Sequence, residues 1–596
     1  LVGLVVVLVL AAVAGARAPG RPVVDEPVDR GLVVSLPGVS WADVQGSDLP
    51  HLEAFVAEAA VGQLSTRIGR RGASTTDAYL TLGAGTRALA PPVDAAVALD
   101  PGETYAGIST HDVLLRRIGR VPDGIAYLAA GAAQRRNEEG PFGGEPGRLG
   151  ELLERAEVGR AVVANADAAE GFPSDEPPPD GAYARSAVTM LMGAEGIVPG
   201  GAVGRRLLVT DPAAPFGRRL DHDAVLTAAL EAWHSWDRGV LLVEASDLAR
   251  ASAYRARATP AQGRALHADA LRSSDELLGA LLDQVAGPDD AVLVLSPVAD
   301  GASPELAIVA LRTPDATGGV LRSATTRRDG YVQLADVAPT VLRLLGEETP
   351  DDVEGRPFEI TPRPAGNRVA ELSDDARAAS FRDGLMPVVV PIVIAFLAIL
   401  VAIAWLVPSD RLRRLAGPGA HAALGVVPTT FALGQVSAVT GSTPGYLVAL
   451  AVGAAVVGAA TWAVDRWRPG LGTIAALAVV VALFAGAGLA GAPLQVDRVF
   501  GYSVAVAGRF AGLGNLAFAL FGAAVVLLAA LVVHRWGDRA LPAVVVLFVS
   551  VVLLEGLPML GADVGGVLSM VPAFLVAAPI LHGRQIGLRH AVAATV

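Results

Sequence analysis

Cysteine is absent from the 596 residues, and so is lysine, so that all 47 basic residues are arginine. The lack of cysteine removes disulfides, thiol nucleophiles and thiolate metal sites together. It leaves the redox compartment open, because an oxidising exterior permits disulfides without requiring them. Charge is scarce: 18% of residues are charged, against about 25% in an ordinary soluble protein. The formal net charge is −12 and no basic cluster occurs, which excludes nucleic acid as a partner, since phosphate neutralisation needs a concentrated positive surface. The nine histidines form no HxH or HxxxH spacing. What the chain has instead is apolar residues, 52% of the total, with a mean hydropathy of +0.48. A purely soluble protein is excluded.

The apolar residues are unevenly spread, and composition divides the chain near Arg382. Residues 1–18 read as an N-terminal transmembrane signal anchor, with Ala16-Arg17-Ala18 imitating a cleavage site. Residues 19–380 contain no run of about 20 apolar residues and form the soluble part. Residues 386–596 read as a multi-pass membrane domain of at least seven helices, at about 386–407, 419–438, 446–464, 471–492, 514–533, 540–557 and 564–581, with another begun at Ala591. The loops carrying Arg411, Arg413 and Arg414, then Arg466 and Arg468, Arg535 and Arg539, and Arg584 and Arg589 fall at alternate ends of the spans. The positive-inside rule places these loops in the cytoplasm and the large domain outside a plasma membrane.

Within the soluble part, Gly31 to Ser35, Arg206 to Thr210, Gly239 to Glu244 and Ala291 to Ser296 read as strands separated by helix-length stretches such as Leu49 to Val61 and Ala265 to Val285. Continuous apolar runs of this kind are what a mostly parallel sheet covered on both faces requires, so the expected fold is an α/β sandwich. Ligands of such sheets sit at the carboxyl ends of the strands, here Pro37-Gly38, Asp247 and Pro297-Val298.

Five segments in order, Leu32 to Gly38 with Leu49 to Leu52, Thr75 to Gly83, Leu242 to Asp247, Val292 to Ser296, and Asp336-Val337-Ala338-Pro339-Thr340 before Leu344-Leu345-Gly346, resemble the alkaline phosphatase superfamily, which includes phosphatases, sulfatases and phosphoethanolamine transferases. The resemblance implies an alkaline-phosphatase-like sandwich and two divalent ions that clamp the oxygens of a phosphoryl transfer. It places Thr76 on the nucleophile position and Asp247 on a metal ligand. The other ligand positions fall on Pro37, Ala251, Pro297 and Val298, whose side chains have no lone pair to give. A degenerate, non-hydrolytic site with no cofactor is the resulting expectation; zinc or manganese belongs to the alternative. Asp221-His222-Asp223 and Asp300 are the two places that supply ligands under a shifted alignment, and each also reads as a solvated turn. Thr76 has a second reading as a helix N-cap, and Thr75 beside it as part of an anion site on exposed amides.

Polar groups inside a bilayer are costly and are functional candidates by default. Arg509 and Asn515 enter one span, while Glu555 and Asp563 join the next two, each among glycines. These four read as a site for an anionic lipid head group or sugar phosphate, or as ordinary interfacial turns. Thr429, Thr430, Gln435 and Ser437 read as interhelical hydrogen-bonding groups, and Trp462 and Trp467 as interface anchors. The layout also resembles that of the GPI ethanolamine-phosphate transferases. Three functions follow: a cell-envelope protein that binds or presents a phosphate-bearing lipid or glycan without hydrolysis, a metal-dependent phosphotransferase or phosphodiesterase acting on lipid-linked substrates, or a scaffold for envelope enzymes. The partners expected are the bilayer itself and a phospholipid or lipid-linked glycan.

Overall fold

Leu32-Val33-Val34 and Leu241-Leu242-Val243 are apolar at consecutive positions, so both faces of the strands that carry them must be covered. The computed structural model describes residues 20–583 except 70, 170–181, 300–305, 317, 407–409, 435–440, 490–494, 505–509, 511, 558–559 and 562. The chain divides into two units, Pro19–Ala376 and Arg377–Val596 with Leu1–Ala18. The expected anchor, Asp300, Gln435, Ser437, Arg509 and the helix begun at Ala591 lie outside the described residues.

The first unit is built on an 11-stranded sheet. Its strands are β1 (Arg21–Pro22), β2 (Arg30–Ser35), β3 (Ala60–Ser65), β4 (Gly159–Val163), β5 (Gly200–Ala202), β6 (Gly239–Glu244), β7 (Ala291–Leu295), β8 (Ala307–Arg312), β9 (Val320–Ser323), β10 (Tyr331–Gln333) and β11 (Phe358–Thr361). The order is β1-β11-β9-β3-β8-β7-β2-β6-β4-β5, with β10 also paired to β3. The run β7-β2-β6-β4-β5 is parallel throughout, and β8 is antiparallel to both of its neighbours. The mostly parallel α/β sandwich expected from the sequence is therefore present.

Period-two alternation sorts the strand residues between two cores. Val33, Val162, Leu242, Leu293 and Val309 face the helices α2 (Thr75–Ala84) and α6 (Val337–Leu344). Leu32, Val34, Val163, Leu241 and Val294 face α1 (Pro50–Glu58), α3 (His222–Trp233) and α5 (Pro260–Gln284). The helix α4 (Ser246–Tyr254) follows β6 directly. One expected strand is corrected: only Leu208–Thr210 is extended, and it pairs with Arg218–Leu220 in a separate two-stranded sheet. The sheet position beside β6 belongs to β4 instead. Its Arg160 pairs with Glu154 and donates to the Leu191 carbonyl, which is how a charge is tolerated in a buried strand.

In the second unit and leading into it, seven helices are described: α7 (Arg368–Leu406), α8 (Asp410–Leu433), α9 (Thr443–Trp467), α10 (Leu471–Leu489), α11 (Asn515–Trp536), α12 (Leu541–Gly556) and α13 (Val564–Leu581). Among the described residues, five stretches are long and apolar enough to cross a membrane: α7, α9, α10, Asn515–Gly556 and α13. The fourth contains both α11 and α12, joined by a 3-10 turn at Gly537–Ala540. The helix α8 is not among the five, and its sequence opens on Asp410, Arg411, Arg413 and Arg414 and carries His421. Trp467 is exposed at the end of α9, and Trp462 lies under the Arg466 guanidinium.

Candidate functional site

The carboxyl ends of β2, β6 and β4 carry a continuous hydrogen-bond network. Ser35 ends β2 and Glu244 ends β6, and Tyr79 from α2 bridges them, with its hydroxyl 2.6 Å from Ser35 Oγ and donating to Glu244 Oε2 at 2.5 Å. The other Glu244 oxygen accepts from Ser246 Oγ at 2.6 Å. Ser246 Oγ in turn accepts the Asn165 N–H beyond β4, and the Asn165 side chain donates to Asp167 and to the Val203 carbonyl. Asp167 is fully buried and is held by Arg185, also fully buried, at 2.7 Å. Arg185 reaches Glu103 at 2.6 Å from its other side. The carboxylates on either side hold the Arg185 proton more tightly than usual although burial acts against them.

Asp247 lies one residue beyond Ser246. Its Oδ1 accepts the Leu220 N–H at 3.0 Å and the Arg250 guanidinium, and Oδ2 accepts Ser273 Oγ at 3.3 Å. Arg250 is fully buried and also donates to the Asn165 carbonyl. Thr76 is buried in the first turn of α2, its Oγ1 2.8 Å from Ser186 Oγ. The cap of α2 is Ser74, which exchanges hydrogen bonds with Asp77 in a capping box, so the N-cap reading of Thr76 is corrected: the cap lies two residues earlier, and Thr75 and Thr76 are the first two helical residues. At the third expected place, Asp221 caps α3 by accepting from Asp223 N and Ala224 N, and His222 Nε2 lies 3.1 Å from Ser273 Oγ.

These donors do not fit a two-metal centre. Two metals need several lone pairs converging on one point, whereas Asp247 is committed to a buried guanidinium and a backbone N–H, and its neighbour at the expected imidazole position is Ala251. Pro37 and Val298 contribute backbone and apolar surface; the loop ends of β2 and β7 are tied by Gly38 N donating to Ser296 Oγ, which donates to the Val298 carbonyl. Among the described residues no group of three or more His, Cys, Asp or Glu side chains gathers.

The Asp336 segment is structural. Asp336 is fully buried, with Oδ1 accepting from Thr325 Oγ1 at 2.7 Å and Arg356 N at 3.0 Å, and Oδ2 from Ser323 Oγ at 2.7 Å and Gln333 N at 3.0 Å. Thr340 at the end of the same motif accepts Phe358 N and donates to the Asp336 carbonyl.

Burial pushes Glu244 above its ordinary value of 4.5, with Ser246, Tyr79 and Arg250 pulling it down by less. The folded chain therefore retains a proton that the unfolded chain releases, and this group's contribution to stability falls as pH rises through the interval above the ordinary value. Melting temperature measured from about pH 4 to about pH 8 is expected to show that decline, flattened in Glu244→Gln. Equal slopes in both proteins would refute it.

In the second unit the two glycine-rich segments meet. A Cβ at Gly512 would stand 2.4 Å from the Gly561 carbonyl oxygen, and one at Gly566 2.9 Å from the Phe518 ring, so close approach requires glycine at both. The loop after α12 folds back on the helix end, with Gly561 N donating to the Leu554 carbonyl and Asp563 N to the Glu555 carbonyl. Glu555 is fully buried, Asp563 caps α13 through Gly566 N at 2.8 Å, and Asn515 is exposed at the start of α11. Thr429 and Thr430 donate to carbonyls of their own helix, Gly425 and Val427, which corrects the interhelical expectation.

A polar clasp that sequence reading missed joins α8, α9 and the start of α10. His421 Nε2 lies 3.1 Å from Asp465 Oδ2 and Nδ1 3.0 Å from Thr461 Oγ1. Asp465 also accepts from Thr473 Oγ1 and from Gly472 N and Thr473 N. A carboxylate six to eight residues before a Gly-Thr helix start was the available signal.

No protein-family model and no curated protein sequence matches the chain. Solved structures do. The lipoteichoic acid synthase LtaP from Listeria monocytogenes is 12% identical, over 59% of this chain and 90% of that one, with a TM-score of 0.32. The alkaline phosphatase from the Antarctic bacterium TAB5 is 9% identical, over 54% and 99%, at 0.31. A protein in the alkaline phosphatase superfamily from Vibrio parahaemolyticus is 12% identical, over 59% and 76%, at 0.33.

Proposed function

We propose that this chain is a membrane protein of the cell envelope whose α/β unit binds a phosphate-bearing lipid or glycan without hydrolysing it, and presents it to the helical bundle. The observation that carries the reading is the commitment of Asp247 to Arg250 and the Leu220 N–H. A guanidinium supplies the positive charge that a metal ion would supply in a phosphoryl-transfer site, but it is fixed, buried and already neutralised. The loop-charge pattern supports an extracytoplasmic position for the α/β unit. On the bundle side, the juxtaposed glycine-rich segments around Gly512 and Gly561, with the exposed Asn515 beside them, are the surface proposed to receive the ligand.

The test is elemental mass spectrometry on the full chain purified in detergent, with calorimetric titration of Zn²⁺ and Mn²⁺ into the wild type and Asp247→Asn. The expected outcome is no stoichiometric metal and no saturable heat in either protein. One or two metal equivalents in the wild type, lost in Asp247→Asn, would overturn the reading and make Thr76 the nucleophile of a metal-dependent phosphotransferase.

A further inference from the structure

One strand further along the sheet from the network at the ends of β2, β6 and β4, an open cleft of about 770 Å³ lies beside β5. The strand β5 is the edge of the parallel run, and its carboxyl end leads through Val203-Gly204 into Arg205-Arg206. Asp100, Glu103, Gly200, Gly201, Arg205 and Arg206 are among its lining residues.

The two acidic groups of the lining face inward. Both Asp100 oxygens accept backbone N–H groups, Val203 and Gly204, at 2.9 Å each. Both Glu103 oxygens hold Arg185, at 2.6 and 3.2 Å. The Arg206 side chain is 61% exposed, and its Nε stands 3.9 Å from Asp100 Oδ2, beyond hydrogen-bond distance. Among the described residues it also makes a long bond of 3.4 Å to the Gly201 carbonyl. The wall between is bare backbone for a reason: Gly201 has φ +103, and a Cβ there would stand 2.0 Å from the Val162 carbonyl oxygen.

We propose that this cleft is the phosphate subsite of the α/β unit, in which Arg206, with Arg205 beside it, takes a phosphomonoester or phosphodiester in charge-assisted, forked hydrogen bonds. The inference rests on the binding reading above and names the place and the recognising residues.

The experiment uses the full chain in detergent titrated with sn-glycerol 3-phosphate, and the full chain presented with nanodiscs containing phosphatidylglycerol, for the wild type, Arg206→Ala and Arg206→Lys. Saturable binding of either probe is expected in the wild type, weakened at least about tenfold in Arg206→Ala. Arg206→Lys, which keeps the charge and loses the fork, is expected to fall between the two. Binding of glycerol phosphate alone identifies a soluble phosphate as the source, and nanodisc capture alone a lipid head group; both support the site if lost in Arg206→Ala. Arg206 is exposed, so its variants are expected to melt with the wild type. Binding of neither probe, or equal affinity in wild type and Arg206→Ala, overturns the proposal. A stoichiometric metal in the Zn²⁺ titration overturns the non-hydrolytic reading instead, so the two failures are distinguishable.

Discussion

Arg185→Met is expected to destabilise the α/β unit by about 3–5 kcal/mol, because removing one partner of a buried ion pair leaves the other charge uncompensated. Asp167, with no solvent exposure, would keep, among the described residues, its bonds from Asn165 and the Ala184 N–H. Glu103 would lose both of its guanidinium contacts at the same time. Arg120, paired with Glu195 on the surface with both side chains substantially exposed, is the control, where Arg120→Ala should cost no more than about 1 kcal/mol. Because burying charge is itself expensive, the triple variant Arg185→Met, Asp167→Asn, Glu103→Gln should recover most of the loss. Denaturant unfolding of the full chain, followed through the transition of the α/β unit, measures all three. If Arg185→Met unfolds within about 1 kcal/mol of the wild type, the network is not what holds the strand ends together.

This dependence explains which parts of the molecule were legible in the sequence. Strands β2, β6 and β7 announce themselves because a parallel strand covered on both faces must be apolar at every position, and Val and Leu runs show it. The strand β4 escaped because Arg160 interrupts it, and its tolerance depends on Glu154 and Leu191, which no local pattern identifies. The helix start at Ser74 was visible as a cap-forming segment, but whether Ser74, Thr75 or Thr76 caps it depends on the backbone at each position, and only Ser74 is extended. The network itself joins Ser35, Tyr79, Asn165, Arg185 and Glu244, residues brought together by the crossover order of the sheet rather than by spacing. The sequence could report that Pro37, Ala251 and Val298 stand where ligands would be needed. It could not report that Arg250 engages Asp247 or that Arg185 sits between Asp167 and Glu103, since an arginine in a chain whose every Lys/Arg position is arginine carries no signal of its own. In the bundle, apolar length revealed the helices, while the His421–Asp465 clasp depends on how three of them pack.

Asp336→Ala is expected to cost about 3–5 kcal/mol, since it strands four donors, the Ser323 hydroxyl buried and the other three part-buried, at about 1–3 kcal/mol for each that stays unsatisfied after relaxation. The more telling variant is Asp336→Asn, which preserves shape and removes only the charge and one acceptor. Each carboxylate oxygen accepts one hydroxyl and one backbone N–H, Thr325 with Arg356 on one side and Ser323 with Gln333 on the other. A hydroxyl can turn and accept from an amide NH₂, but a backbone N–H cannot. Whichever way the Asn side chain is placed, its NH₂ faces a fixed donor, so Asp336→Asn should lose at least about 1–3 kcal/mol. The loss should be local first. The turns that deliver β10 and β11 to the sheet are the ones these bonds fix, and Phe358 N is held through Thr340 in the same motif. Amide hydrogen exchange in the full chain should therefore accelerate at Gln333, Arg356 and Phe358 in Asp336→Asn, with the β2 and β6 amides unchanged. Uniform acceleration across the sheet would mean that Asp336 supports the whole core, and unchanged exchange at all sites would mean that its four bonds are dispensable.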